Sequence, residues 1–84
     1  IGEMRLVRVS WFDTIEHPTG WYEASDVTDL EDTPLVHSYG LILKENEKTI
    51  TLVADLIPSD NTFGRGTTIP KGMIKEIKDI SVIN

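Results

Sequence analysis

The stretch Leu35-Val36-His37-Ser38-Tyr39-Gly40-Leu41-Ile42-Leu43-Lys44, followed by Glu45-Asn46-Glu47 and then Lys48-Thr49-Ile50-Thr51-Leu52-Val53-Ala54-Asp55-Leu56-Ile57, decides the fold. In its second half Ile50, Leu52, Ala54 and Leu56 share one parity, and Thr49, Thr51, Val53 and Asp55 share the other. Successive side chains of a strand point to opposite faces, so this alternation predicts a strand with the first set inward. The apolar and aromatic residues before it read as the partner strand, and the polar residues between them have the length of a hairpin turn. Gly40 inside a strand predicts a bulge or a sharp bend.

Outward from this hairpin the pattern stays β. Val7, Val9 and Trp11 alternate with Arg8 and Ser10, which predicts a half-buried first strand with Arg8 and Ser10 on the solvent side. Residues 13–20 read as a loop, because Pro18 and Gly20 are turn formers. Residues 24–32 predict a short helical turn, capped by Ser25 or Asp26 and ended by Pro34. Residues 58–66 read as a loop by composition. Then Ile69-Pro70-Lys71-Gly72 predicts a tight turn between two further strands. Ile74, Ile77 and Ile80 recur every third residue, so a helix competes there, but dense β-branching and Gly72 favour a strand. About five short strands with glycine at the bends predict a mainly β fold, a small and strongly bent five-stranded barrel whose closure removes exposed edges.

Composition bounds the remaining choices. The chain has 84 residues and no cysteine, so one small domain spanning residues 1–84 is expected, with neither a disulfide framework nor a thiolate metal site. Met4 reads either as a natural start, with residues 1–3 an addition ahead of it, or as an internal methionine. The first residues lack the apolar run of a signal peptide, and no segment approaches the length of a membrane span. A domain of this size buries only about 60–65% of its unfolded surface, which leaves room for an oligomer to supply more.

The formal net charge is −6, which argues against broad electrostatic binding to nucleic acid. Its distribution is more informative. Residues 9–43 contain no Lys or Arg but carry Asp13, Glu16, Glu23, Asp26, Asp29, Glu31 and Asp32, whereas residues 65–78 carry Arg65, Lys71, Lys75 and Lys78 against Glu76. These two regions either neutralise each other within one chain or join neighbouring copies head to tail.

Tyr39-Gly40-Leu41-Ile42-Leu43-Lys44-Glu45, Ile50-Thr51-Leu52-Val53-Ala54 and Ile69-Pro70-Lys71-Gly72-Met73-Ile74-Lys75-Glu76-Ile77 resemble a recurring family of small bacteriophage and prophage proteins. Val9-Ser10-Trp11-Phe12-Asp13 followed by Gly20-Trp21 resembles the start of that family. The resemblance implies an Sm-like or SH3-like barrel with a short 3₁₀ turn before the last strand, and a cytoplasmic location in a bacterial host. The family has no assigned chemistry, so the resemblance transfers no catalytic residue.

Several side chains are candidates for function. Asp60-Asn61-Thr62-Phe63-Gly64-Arg65-Gly66 combines turn residues, an aromatic and an arginine, so Asp60, Asn61, Phe63 and Arg65 are candidate ligands for an anion or a base. It is equally the composition of a hairpin tip. Trp11, Trp21, Tyr22 and Tyr39 are candidates for an aromatic recognition surface. Parity assigns Trp11 to the core, whereas Trp21, beside a Pro-Thr-Gly turn, is expected to be exposed, and Trp21 and Tyr22 are candidate binding residues. Asp13, Glu16 and His17, with His37, have ligand chemistry for a metal, but a solvated loop explains them as well, and neither metal nor cofactor is expected. Ser38 and His37 are adjacent in a strand and point apart, which excludes them as a catalytic pair. The expected function is a non-enzymatic, self-associating phage or prophage accessory protein that binds a host or phage protein. The alternatives are an Sm-like RNA-binding ring using residues 60–66 with Lys71, Lys75 and Lys78, and a small-molecule or nucleotide-binding oligomer.

Overall fold

A computed structural model describes residues 5–17, 19–26 and 32–80. The fold is mainly β: strands β1 (Leu6–Phe12), β2 (Leu35–Glu45), β3 (Thr49–Ile57), β4 (Thr62–Pro70) and β5 (Ile74–Asp79) form one antiparallel sheet. The order across the sheet is β4-β3-β2-β1-β5. β4 and β5 lie at opposite ends, each paired on one side only among the described residues, and no ladder joins them. A 3₁₀ turn, Lys71–Met73, links β4 to β5, with the Lys71 amide donating to the Lys48 carbonyl at 2.7 Å. Pro70 enters that turn with φ −64°, the value its ring imposes.

The core follows the alternation of the first strand. Val7 and Val9 are fully buried with Ile50, Leu52 and Ile69, and Trp11, Ile42 and Ile74 pack against them. Register makes this one face: Ile50 lies opposite Ile69, and Ile42 opposite Leu52. The β2–β3 turn is tied by Asn46, whose Oδ1 accepts from the amides of Lys48 and Thr49 at 2.8 and 2.9 Å. This is an Asx turn of the kind that favours Asn in hairpins.

Gly40 is the point of tightest approach. A Cβ there would lie 2.9 Å from the Val53 carbonyl oxygen and 3.3 Å from the Leu52 Cβ. The register of β2 against β3 also slips between Ile42 and Lys44. The bend expected at the glycine is therefore a close crossing of β2 over β3, with the bulge just beyond it.

Four expectations need correction. Only Pro58, Ser59, Asp60 and Asn61 form the β3–β4 turn; Thr62, Phe63, Gly64, Arg65 and Gly66 belong to β4. Composition misleads there because the glycines flank Arg65, which has φ 52° inside a strand, while Asn61 (φ 54°) closes the turn. Ala54 is exposed although its parity is that of Ile50 and Leu52, and Val53 of the opposite parity is 1% exposed. Past Val53, β3 pairs with β4 alone, so the alternation no longer reports the core. Ser10, expected on the solvent side, is 3% exposed, because its hydroxyl is bonded to His37. The helical turn expected over residues 24–32 is a 3₁₀ turn at Ala24–Asp26, and residues 27–31 lie outside the described ones, as do residues 1–4. The loop between β1 and β2 is closed at its ends by the Asp13 amide donating to the Pro34 carbonyl at 2.9 Å.

The crossing predicts that Gly40→Ala lowers stability by about 1–3 kcal/mol, because the clash is with backbone rather than a movable side chain. Gly72→Ala, where a Cβ would meet nothing within 4 Å, is the control. Thermal unfolding should show Gly40→Ala several degrees below the wild type and Gly72→Ala close to it; equal melting of Gly40→Ala and wild type would remove the crossing.

Candidate functional site

The structure separates the four aromatic candidates. Trp11 packs against the core, and its indole Nε1 donates to Ser38 Oγ at 2.9 Å. Trp21 is fully exposed, and Tyr22 and Tyr39 are more than half exposed. The loop before Trp21 folds on itself: the rings of His17 and Tyr22 are 5.5 Å apart, tilted by 39°, and Gly20 lies against the Tyr22 ring. That arrangement leaves the Trp21 indole facing solvent, inside the acid-rich segment.

Asp60 and Asn61 sit on the β3–β4 turn, whereas Phe63 and Arg65 project from β4. Phe63 lies over Gly66, where a Cβ would meet its ring at 2.6 Å, and it stays half-exposed. Arg65 is exposed and already engaged by a carboxylate on the neighbouring strand. Its Nε and a terminal nitrogen donate to the two carboxylate oxygens of Asp55 at 2.7 and 3.0 Å, a bidentate pair across the ladder. These hydrogen bonds hold the Asp55 carboxyl below its ordinary range and raise Arg65. Likewise Lys71 Nζ donates to Glu45 at 2.7 Å, with Arg5 at 3.7 Å, and the Lys71 bond chiefly lowers the Glu45 carboxyl. Because both folded-state values are depressed, these pairs stabilise the protein above the unfolded carboxylate range. That contribution is lost as pH falls through the lowered values.

A second constellation was not legible as a site in the sequence. On the face of β1 away from the core, Ser10 lies opposite His37 on β2 and Glu76 on β5, and Arg8 lies opposite Tyr39 and Lys78. The register on the β5 side shifts between Ser10 and Trp11. The Ser10 hydroxyl and His37 Nδ1 are 2.7 Å apart. A terminal nitrogen of Arg8 is paired with Glu76, while Arg8 Nε is buried without a hydrogen-bond partner. An unpaired buried donor costs about 1–3 kcal/mol. Arg8, Ser10, Leu35, His37, Lys75 and Glu76 line a cavity of about 260 Å³. Alternation placed Arg8 and Ser10 together on one face; only the register brings His37, Lys75 and Glu76 to them. His37 and Ser38 do point apart, one bonded to Ser10 and the other to Trp11.

Asp13, Glu16, His17 and His37 are not brought together; among the described residues no group of three or more His, Asp or Glu converges as metal ligands would. No described helix is long and apolar enough to cross a membrane. The ion pairs among the described residues use Glu45, Asp55 and Glu76, and none involves Asp13, Glu16, Glu23 or Asp32, nor Lys75 or Lys78. No family model, curated protein or solved structure matches the chain.

Full exposure of Trp21 predicts that Trp21→Ala leaves the melting temperature within a degree or so of wild type. Trp11→Ala, which removes an indole packed on the core and hydrogen-bonded to Ser38, should cost about 3–5 kcal/mol. Chemical denaturation of both variants checks this; comparable losses in the two would place Trp21 in the core.

Proposed function

We propose that this chain is a non-enzymatic interaction module that associates with further copies of itself. The observation that carries this reading is the unspent charge. The acids Asp13, Glu16, Glu23 and Asp32 of the β1–β2 segment and the lysines Lys75 and Lys78 of β5 form no ion pair within the described chain. Internal neutralisation would have joined these two sets. Their separation instead suits a head-to-tail contact, in which β5 of one copy meets the acidic segment of the next.

Two further features support the same partner. Trp21 presents its indole fully to solvent within the acidic segment, and an aromatic face attracts a lysine ammonium as a carboxylate does. Among the described residues β4 and β5 are each paired on one side only, which offers two edges to neighbours. Pro70 and the left-handed Arg65 interrupt the β4 edge, and the lysines charge the β5 edge. Such edges resist indiscriminate strand pairing and leave the choice of neighbour to charge. In the phage or prophage setting that the motifs resemble, such an assembly would present repeated copies of one surface to a host or phage protein. An RNA-binding ring is less supported, because two of its expected cations, Arg65 and Lys71, are engaged by Asp55 and Glu45.

Size-exclusion chromatography with light scattering tests the reading. At low ionic strength an oligomer is expected, and it should dissociate in about 1 M salt, where the Debye length falls to about 3 Å. Lys78→Glu and Trp21→Ala should each shift the equilibrium toward monomer at low salt, while at about 1 M salt, where the wild type is itself monomeric, their melting temperatures should match it. A monomer at every salt and protein concentration would overturn the proposal.

A further inference from the structure

We propose that the cavity on the outer face of β1 is a binding site for a small oxyanion, a phosphate or a carboxylate group. Its volume of about 260 Å³ lies below the roughly 300–1,000 Å³ of pockets that enclose drug-sized ligands. The occupant is therefore a small anion, or the anionic end of a ligand whose remainder stays outside.

The lining sets the chemistry. Arg8 gives one terminal nitrogen to Glu76 and leaves its second terminal nitrogen without a hydrogen bond among the described residues, so directional, charge-bearing donors are left over. Lys75, with no ion pair among the described residues, brings a second cation and three donors from β5. Glu76 is the one carboxylate in the lining and Arg8 already neutralises it, so the pocket as a whole is cationic. Ser10, buried, and His37, exposed, are bonded to each other at 2.7 Å and give the cavity a polar floor. Leu35 closes one wall with apolar surface, which lowers the local dielectric and strengthens hydrogen bonds to a bound charge. An oxyanion here accepts from the second terminal nitrogen of Arg8 and from Lys75 Nζ, both charge-assisted. The site draws on β1, β2 and β5 of one chain and does not require self-association.

Backbone amide NMR of the full chain, titrated separately with sodium phosphate, sodium acetate and sodium chloride at matched ionic strength, tests this. Saturable shifts centred on Arg8, Ser10, His37 and Lys75 are expected with phosphate or acetate but not with chloride. The anion that saturates at lower concentration identifies the group. Lys75→Gln, at an exposed strand position, should weaken that binding about tenfold, the worth of one hydrogen bond to a charged group. Arg8→Lys, which keeps the charge but loses the guanidinium fork, should weaken it similarly; if that variant unfolds, Lys75→Gln carries the comparison. Lys78→Glu, which removes a lysine outside the lining, should still bind even as a monomer. Shifts that chloride reproduces, shifts that do not saturate, or unchanged affinity in Lys75→Gln would overturn the site.

Discussion

The structure depends on the alternation of Val7-Arg8-Val9-Ser10-Trp11 within a strand paired on both sides. β1 is zipped to β2 from Leu6 to Phe12 and to β5 from Val7 to Trp11. Its odd positions enter the core, and Val7 and Val9 are fully buried there. Its even positions, Arg8 and Ser10, build the polar pocket with His37 and Glu76. A slip of one residue would exchange the two faces, burying a guanidinium and exposing the valines. The hydrophobic effect that seats Val7 and Val9 thus also fixes where Arg8 and Ser10 point.

The second constraint is the division of β2. Leu35–Leu41 pair with β1 and Leu41–Glu45 with β3, and β2 comes closest to β3 at that changeover, where Gly40 leaves room for the Val53 carbonyl. Beyond Val53, β3 and β4 continue as a two-stranded ribbon held by Asp55–Arg65, which explains why Ile57 and Phe63 remain exposed despite their apolar character. Between β1 and β2 the chain makes its longest excursion, and that excursion carries the acids and Trp21. The acids of that connection therefore face no cation of their own segment, whereas the lysines Lys75 and Lys78 stand on β5 beside Glu76 and Asp79.

Much of the fold was legible because its signals are local. Period-two alternation marked β1 and the first part of β3, the polar Asn46 marked the hairpin turn, and Pro70 with Gly72 marked the 3₁₀ turn before β5. What failed was non-local. The strand character of Thr62–Pro70 at its start was hidden by glycines flanking an arginine in left-handed backbone. Burial of Val53 and exposure of Ala54 depend on which strands lie alongside, not on parity. The exposure of Trp21 followed from its turn setting, whereas the pairing that occupies Arg65 comes from Asp55 across the ladder. The pocket joins Ser10 to His37, 27 residues apart, and no spacing rule within one strand predicts a register between two.

The central claim is that β1 is locked from both sides in this register, with Val9 in the core and Ser10 against His37. Native-state hydrogen exchange followed residue by residue tests it most directly. The amides of Val7, Val9 and Ser10 should exchange among the slowest in the chain, through global unfolding, while Phe63 and Gly64 in the ribbon should exchange through local opening. Exchange of the β1 amides as fast as those of the ribbon would contradict it.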